Sequence, residues 1–185
     1  DGVAHWGLRQ AAVYGLGQLS AKCPALVADV ASAQVAPLLK RVLEKNSGGG
    51  EDADEDLKEN AASAIQHLLK NVLLPRAEGA AEAEAYARAW LGALPMRADE
   101  AEAEHNHRQL LAWLQGANTA VFNPATLPQV LRIIAEVVMD GLADRATTAG
   151  LADCVRGWKA SLPKDVFDMA LGGLTPDQLA VVSSV

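Results

Sequence analysis

His105 and His107 are the nearest approach to a metal-binding pair in this sequence. Residues two apart on a helix point to opposite sides, so the pair cannot chelate one ion there. A spacing of four would be needed. Cys23 and Cys154 belong to no Cys-x-x-Cys motif, and no neighbouring histidine is placed to activate either. Both border apolar helix positions, which predicts reduced, buried thiols of a cytosolic or nuclear protein. Ser20, Ser32, Ser47, Ser63 and Ser161 lack a nucleophile-elbow glycine pattern. The glycines at 15, 17 and 48–50 form neither a dinucleotide-binding fingerprint nor a Walker A loop. The sequence therefore predicts no catalytic residue, no metal and no cofactor.

Carboxylates are the remaining candidates. Between Asn46 and Asn60 stand Glu51, Asp52, Asp54, Glu55, Asp56 and Glu59 against one base, Lys58. That segment supplies −5 of the chain's −7. Three glycines, Gly48 to Gly50, precede the acids. Glycine has a large backbone entropy and no side chain to pack, so residues 46–56 read as a flexible acidic loop. Its charges can favour the following helix N-terminus through the dipole, or contact a basic partner. Asp99, Glu100, Glu102 and Glu104 form a second acidic run at a helix start. The residues proposed to meet a basic partner are Glu51, Asp52, Asp54, Glu55, Asp56, Glu59, Asp99 and Glu104, on solvent-facing positions. The acidic balance disfavours phosphate backbones, so direct nucleic-acid binding is not expected. No apolar run approaches the roughly 18 residues of a membrane span.

These residues must be carried by helices. Half of the 185 residues are hydrophobic but only 4% are aromatic, because the apolar content is mostly Ala, Leu and Val. Ala and Leu lose little side-chain freedom in a helix, and alternating β-branched runs are missing. Apolar residues recur at helical spacing in seven stripes, with a shorter set near the end. Leu8, Ala12, Gly15, Leu16 and Leu19 form the first. Leu127, Val130, Leu131, Ile134, Val137 and Val138 form the most regular. Prolines and the glycine run separate them. Helices are expected near 4–20, 33–45, 57–71, 82–94, 99–115, 126–142 and 146–160. Gly15 and Gly17 fall inside the first, where small residues would let a neighbour approach closely. Trp6, Trp90, Trp113 and Trp158 read as packing residues between helices.

Three stripes centre near Ile65, Leu110 and Val155, so 110 − 65 and 155 − 110 are both 45. Two-helix repeats of about 40–47 residues are the HEAT and armadillo pattern. The expected fold is all-α: a superhelical solenoid of stacked antiparallel helix pairs, about seven to nine helices in a single array over 1–185. A compact bundle of seven or eight helices is the alternative.

The residues 9–17, Arg-Gln-Ala-Ala-Val-Tyr-Gly-Leu-Gly, resemble the second-helix signature of HEAT repeats in the importin-β family of nuclear transport receptors. The similarity is closest to the Ran-binding importin-β3 type. Three further segments agree in order: Trp90 to Pro95 followed by Asp99 and Glu102-Ala103, then Leu127-Pro128 with Ile133 to Glu136, then Leu174 to Gln178. The loop at 47–56 looks longer than the family's usual connection. The resemblance implies the C-terminal repeats of a longer receptor, in keeping with a first residue, Asp1, that is not Met. It implies basic protein cargo of the ribosomal-protein or histone class, contacts with Phe-Gly nucleoporins, and release by Ran-GTP bound mainly through N-terminal repeats outside this chain. It also implies shuttling between cytoplasm and nucleus, without covalent chemistry. A structural scaffold subunit with the same fold is the second reading.

Overall fold

The computed structural model describes residues 2–47, 54–76 and 80–185, with the side chains of 2–6 and 80 left undescribed. Among the described residues there are helices and no strands. The chain divides into two compact units, Asp1–Ala93 and Leu94–Val185.

The first unit holds α1 (Gly2–Lys22), the single turn α2 (Pro24–Val27), α3 (Ala36–Asn46), α4 (Glu55–Leu68) and α5 (Ala80–Ala93). Prolines sit where their missing N–H costs nothing. Pro24 opens α2 and Pro37 lies in the first turn of α3. Two π-helical turns, Ala31–Val35 and Leu69–Leu73, lie before α3 and after α4. The periodicity alone did not distinguish them from α-helix. In them the backbone bond reaches five residues back, as from the Val35 N–H to the Val30 carbonyl at 3.1 Å and from Leu74 to Leu69 at 2.9 Å.

Helix α4 is the centre of this unit and packs against α1, α3 and α5. It therefore buries almost every side, from Ala61 to Gln66 without interruption. Leu39 and Leu43 of α3 and Ala61, Ile65 and Leu68 of α4 belong to the unit's core. Gly17 is what lets α1 approach α4: a Cβ there would sit 3.2 Å from the Ala64 Cβ. Gly15 has nothing within 4 Å of that position, so the expected close approach applies to Gly17 and not to Gly15. The first apolar stripe is largely uncovered. Leu8 is 68% and Leu19 41% exposed, while Val13, Gly17 and Ser20 are the residues α1 buries among those whose side chains are described.

The second unit holds α6 (Glu100–Gln115), α7 (Leu127–Asp140), α8 (Arg145–Ser161), α9 (Lys164–Leu171) and α10 (Pro176–Ser184). Helix α6 packs on α8, and α7 packs on α8, α9 and α10. The core is built from Leu110 of α6, Val130, Leu131, Ile133, Ile134 and Val137 of α7, and Leu151 and Val155 of α8. Gly150 plays the part here that Gly17 plays in the first unit. A Cβ at Gly150 would stand 2.6 Å from Leu111 Cδ2. Gly141 ends α7 in the left-handed conformation, φ 64°, which glycine adopts without steric cost. Helix α10 begins with a full capping box, in which Thr175 and Gln178 satisfy each other's backbone N–H groups.

Two tryptophans, Trp90 and Trp113, are buried, and Trp158 stacks on Phe122 with ring centroids 4.4 Å apart. The side chain of Trp6 lies outside the described residues. The expectation of two buried thiols is corrected for Cys23. It is exposed at the break between α1 and α2, where no packing stripe runs. Cys154 is half-buried, and burial, reinforced by Asp153, pushes its thiol pKa up.

Candidate binding surface

Three helices begin in the same way. Asp54, Asp99 and Asp144 are the N-caps of α4, α6 and α8. The intervals 99 − 54 and 144 − 99 are both 45. The Asp54 carboxylate accepts from the Leu57 N–H at 2.9 Å. That of Asp99 accepts from Ala101 at 2.9 Å and Glu102 at 3.0 Å. That of Asp144 accepts from Thr147 at 2.7 Å. In each case the aspartate's own carbonyl accepts the next helical bond, from Lys58, Ala103 and Thr148. An N-cap carboxylate satisfies otherwise unpaired amides and also meets the positive end of the dipole. The Thr147 N–H, followed by the Arg108 guanidinium, holds Asp144 well below the usual carboxylate range, at about 2.

Asp144 also lines a groove of about 440 Å³ that lies wholly in the second unit. The walls come from Met96 and Arg97 in the segment before α6, from Glu100, Ala103 and Glu104 on α6, and from Gly141 to Asp144 in the α7–α8 corner. His107 ties these parts together from within. Its side chain is fully buried. Nδ1 lies 2.9 Å from the Leu142 carbonyl oxygen, and the Met96 N–H points at Nε2 across 3.4 Å. A carbonyl can only accept and an amide N–H can only donate, so Nδ1 carries the proton.

Ion pairs frame the groove. Arg97 donates to Asp140 at 2.6 Å and to Glu136 at 3.2 Å, and the Asp140 bond is the main cause that raises its pKa. Arg108 bridges Glu104 at 2.5 Å and Asp144 at 3.0 Å, joining α6 to the start of α8. Glu136 is a hub. It also accepts from Arg132 at 2.8 Å and from the Gln178 amide of α10 at 3.1 Å. The lining carries Glu100, Glu104 and Asp144 with Arg97; Arg108 bridges two of these acids, and Glu136 and Asp140 hold Arg97 from beyond the lining, Glu136 together with Arg132. Glu100 makes no ion pair among the described residues.

The expected contact residues meet different fates. Glu51 and Asp52 lie outside the described residues. Asp54 and Asp99 are engaged as caps. Glu55 pairs with Lys58 at 2.8 Å, and Asp56 is exposed. Glu59 is a correction. It is only 3% exposed, because helices pack around α4 on several sides and leave that position no route to solvent. Glu104 lies in the groove. Glu100 and Asp144 were not singled out as contacts. The 45-residue recurrence of Asp before a helix was the available signal for Asp144.

Among the described residues no group of three or more His, Cys, Asp or Glu is arranged to hold a metal ion. His105 is exposed while His107 is buried, as expected for residues two apart on a helix. No helix among the described residues is long and apolar enough to cross a membrane. The chain matches no protein-family model and no curated protein.

Proposed function

We propose that this chain is a protein-binding segment of a HEAT-type helical repeat array that recognises a basic protein partner. The observation that carries this reading is the triple aspartate cap at 45-residue intervals, at the starts of α4, α6 and α8. A constant spacing of the same cap on three helices is what tandem two-helix repeats of this length produce. The packing of α4 on α1 and α3, and of α8 on α6 and α7, supports it. So does the net negative rim of the groove, which suits a cationic surface. Both nitrogens of His107 are engaged by main-chain groups, so its ring serves to hold the groove's walls.

Within that class we assign the chain to the C-terminal repeats of an importin-β3-like nuclear import receptor, on the ordered sequence resemblance at 9–17, 90–103, 127–136 and 174–178. Its cargo is then a ribosomal protein or histone, with Phe-Gly nucleoporins and Ran-GTP as the other partners of the whole receptor. The test is retention of a core histone and of a basic ribosomal protein on the immobilised chain across a salt series, with an acidic protein of similar size as control. Retention at low salt that falls steeply with added salt is expected. Absence of retention, or retention indifferent to salt, counts against the reading.

A further inference from the structure

We propose that the groove bounded by Met96, Glu100, Glu104, Leu142 and Asp144 receives a single cationic side chain, lysine or arginine, from an extended segment of the partner. This rests on the basic-partner reading and specifies where and how one residue of that partner is recognised.

Shape gives the first argument. A volume of about 440 Å³ falls toward the small end of sites for small ligands, roughly 300–1,000 Å³. It admits a side chain and not a helix. The lining gives the second. Ala103 is buried and Leu142 and Ala143 are half-buried, so the lining offers apolar surface beside its polar groups. The carboxylates of Glu100, Glu104 and Asp144 stand on the same lining. An aliphatic stem against apolar surface with a charged head among carboxylates is how lysine and arginine are accommodated at protein surfaces.

Charge balance decides the sign of the ligand. Each guanidinium at the groove is already held by two carboxylates, Arg97 by Glu136 and Asp140, and Arg108 by Glu104 and Asp144. An anion approaching either guanidinium would also meet the carboxylates that hold it. Glu100 makes no ion pair among the described residues, and the lining acids Glu100, Glu104 and Asp144 against Arg97 and Arg108 leave one negative charge in excess. A ligand ammonium or guanidinium therefore gains where a phosphate or carboxylate loses. Rigidity is the third argument. The His107 imidazole joins the Met96 and Leu142 walls through the interior, so the cavity is formed before a ligand arrives. At Gly141 the space beside Cα is open, with nothing within 4 Å of a Cβ position, and leaves room for the segment that brings the side chain.

The experiment is an NMR titration of the whole 185-residue chain, following the amides of Arg97, Leu142 and Ala143. The probes are blocked tripeptides with lysine, arginine or norleucine at the centre, and spermidine. Lysine and arginine peptides are expected to shift these amides, and the norleucine peptide to leave them in place. The double variant Glu100→Gln, Glu104→Gln, at surface positions, should weaken lysine-peptide binding about tenfold. Ala143→Phe, which fills the groove from a loop, should abolish it. Tighter binding of spermidine than of either peptide at the same amides would overturn the assignment to a partner's side chain in favour of a free polyamine. Equal shifts with norleucine, or unchanged affinity in the double variant, overturn the proposal. If the double variant still retains histone as the parent chain does, this site is wrong while the basic-partner reading stands. If the lysine peptide titrates the groove but no basic protein is retained, the groove stands and the wider reading falls.

Discussion

The imidazole of His107, itself fully buried, donates to the carbonyl oxygen of Leu142 at 2.9 Å, across 35 residues of chain. It gives a mid-helix side chain the task of fixing the corner between α7 and α8. A buried donor that loses its acceptor, as the Met96 N–H would, costs more than the bond it made, because it cannot turn to water.

His107→Ala should therefore be destabilising by about 3 kcal/mol, from the lost volume together with the stranded Met96 N–H. Equilibrium urea unfolding, followed by tryptophan fluorescence and by circular dichroism, measures it. A loss below about 1 kcal/mol would mean that water or a rearranged side chain takes the place of the ring.

Removal of one cap, Asp99→Ala, should lower stability by about 1 kcal/mol. Asp99→Asn should recover most of that, since asparagine also caps. Amide exchange at Ala101 and Glu102 is the sharper readout, because their N–H groups lose their acceptor. Uniform acceleration across the whole chain, with no local excess at those two sites, would contradict the cap assignment.

Asp144 predicts a pH dependence. Its folded-state pKa is lowered from 3.8 to about 2, so the unfolded chain takes up the proton first. The stabilising contribution is complete above about pH 3.8 and is lost as pH falls toward 2. Urea midpoints of the parent chain should fall more steeply over that window than those of Asp144→Asn. Identical slopes would show that the carboxylate is no better held in the folded state than in the unfolded one.

Gly15 and Gly17 should respond in opposite senses to alanine. At Gly15 the new methyl group meets open space within a helix, and stability should rise by about 0.5–1 kcal/mol. At Gly17 it presses on Ala64, and the contact between α1 and α4 must widen. Thermal unfolding of the two variants side by side decides the matter, and a gain at both positions would place α1 farther from α4 than described.

Much of this arrangement was legible in the sequence because it depends on periodicity. The stripe from Leu127 to Val138 becomes α7, and the 45-residue interval reappears in the aspartate caps. What escaped depends on neighbours. Glu59 looks like a surface acid beside Lys58, yet α4 is enclosed by other helices and buries it. Leu8 and Leu19 look like core and are exposed, because a stripe records the capacity for burial and not the presence of a covering element. His107 gave no local sign of its role, since both of its bonded partners lie outside its own helix, at Met96 and Leu142. The groove was invisible for the same reason: it is assembled from three separate stretches of chain.

The Asn46 side chain has an effect on how the chain can be altered. Its amide nitrogen donates to the Val42 carbonyl at 2.7 Å, and its oxygen accepts the Asp54 N–H at 3.2 Å. The end of α3 and the start of α4 are thus fastened to each other independently of the residues between them. The entropic cost of joining two fixed ends grows only with the logarithm of the length between them. Inserting a short tag or a fluorophore-bearing sequence between Gly49 and Gly50 should therefore leave the thermal midpoint within a few degrees of the parent, which makes this junction the natural place to attach a reporter.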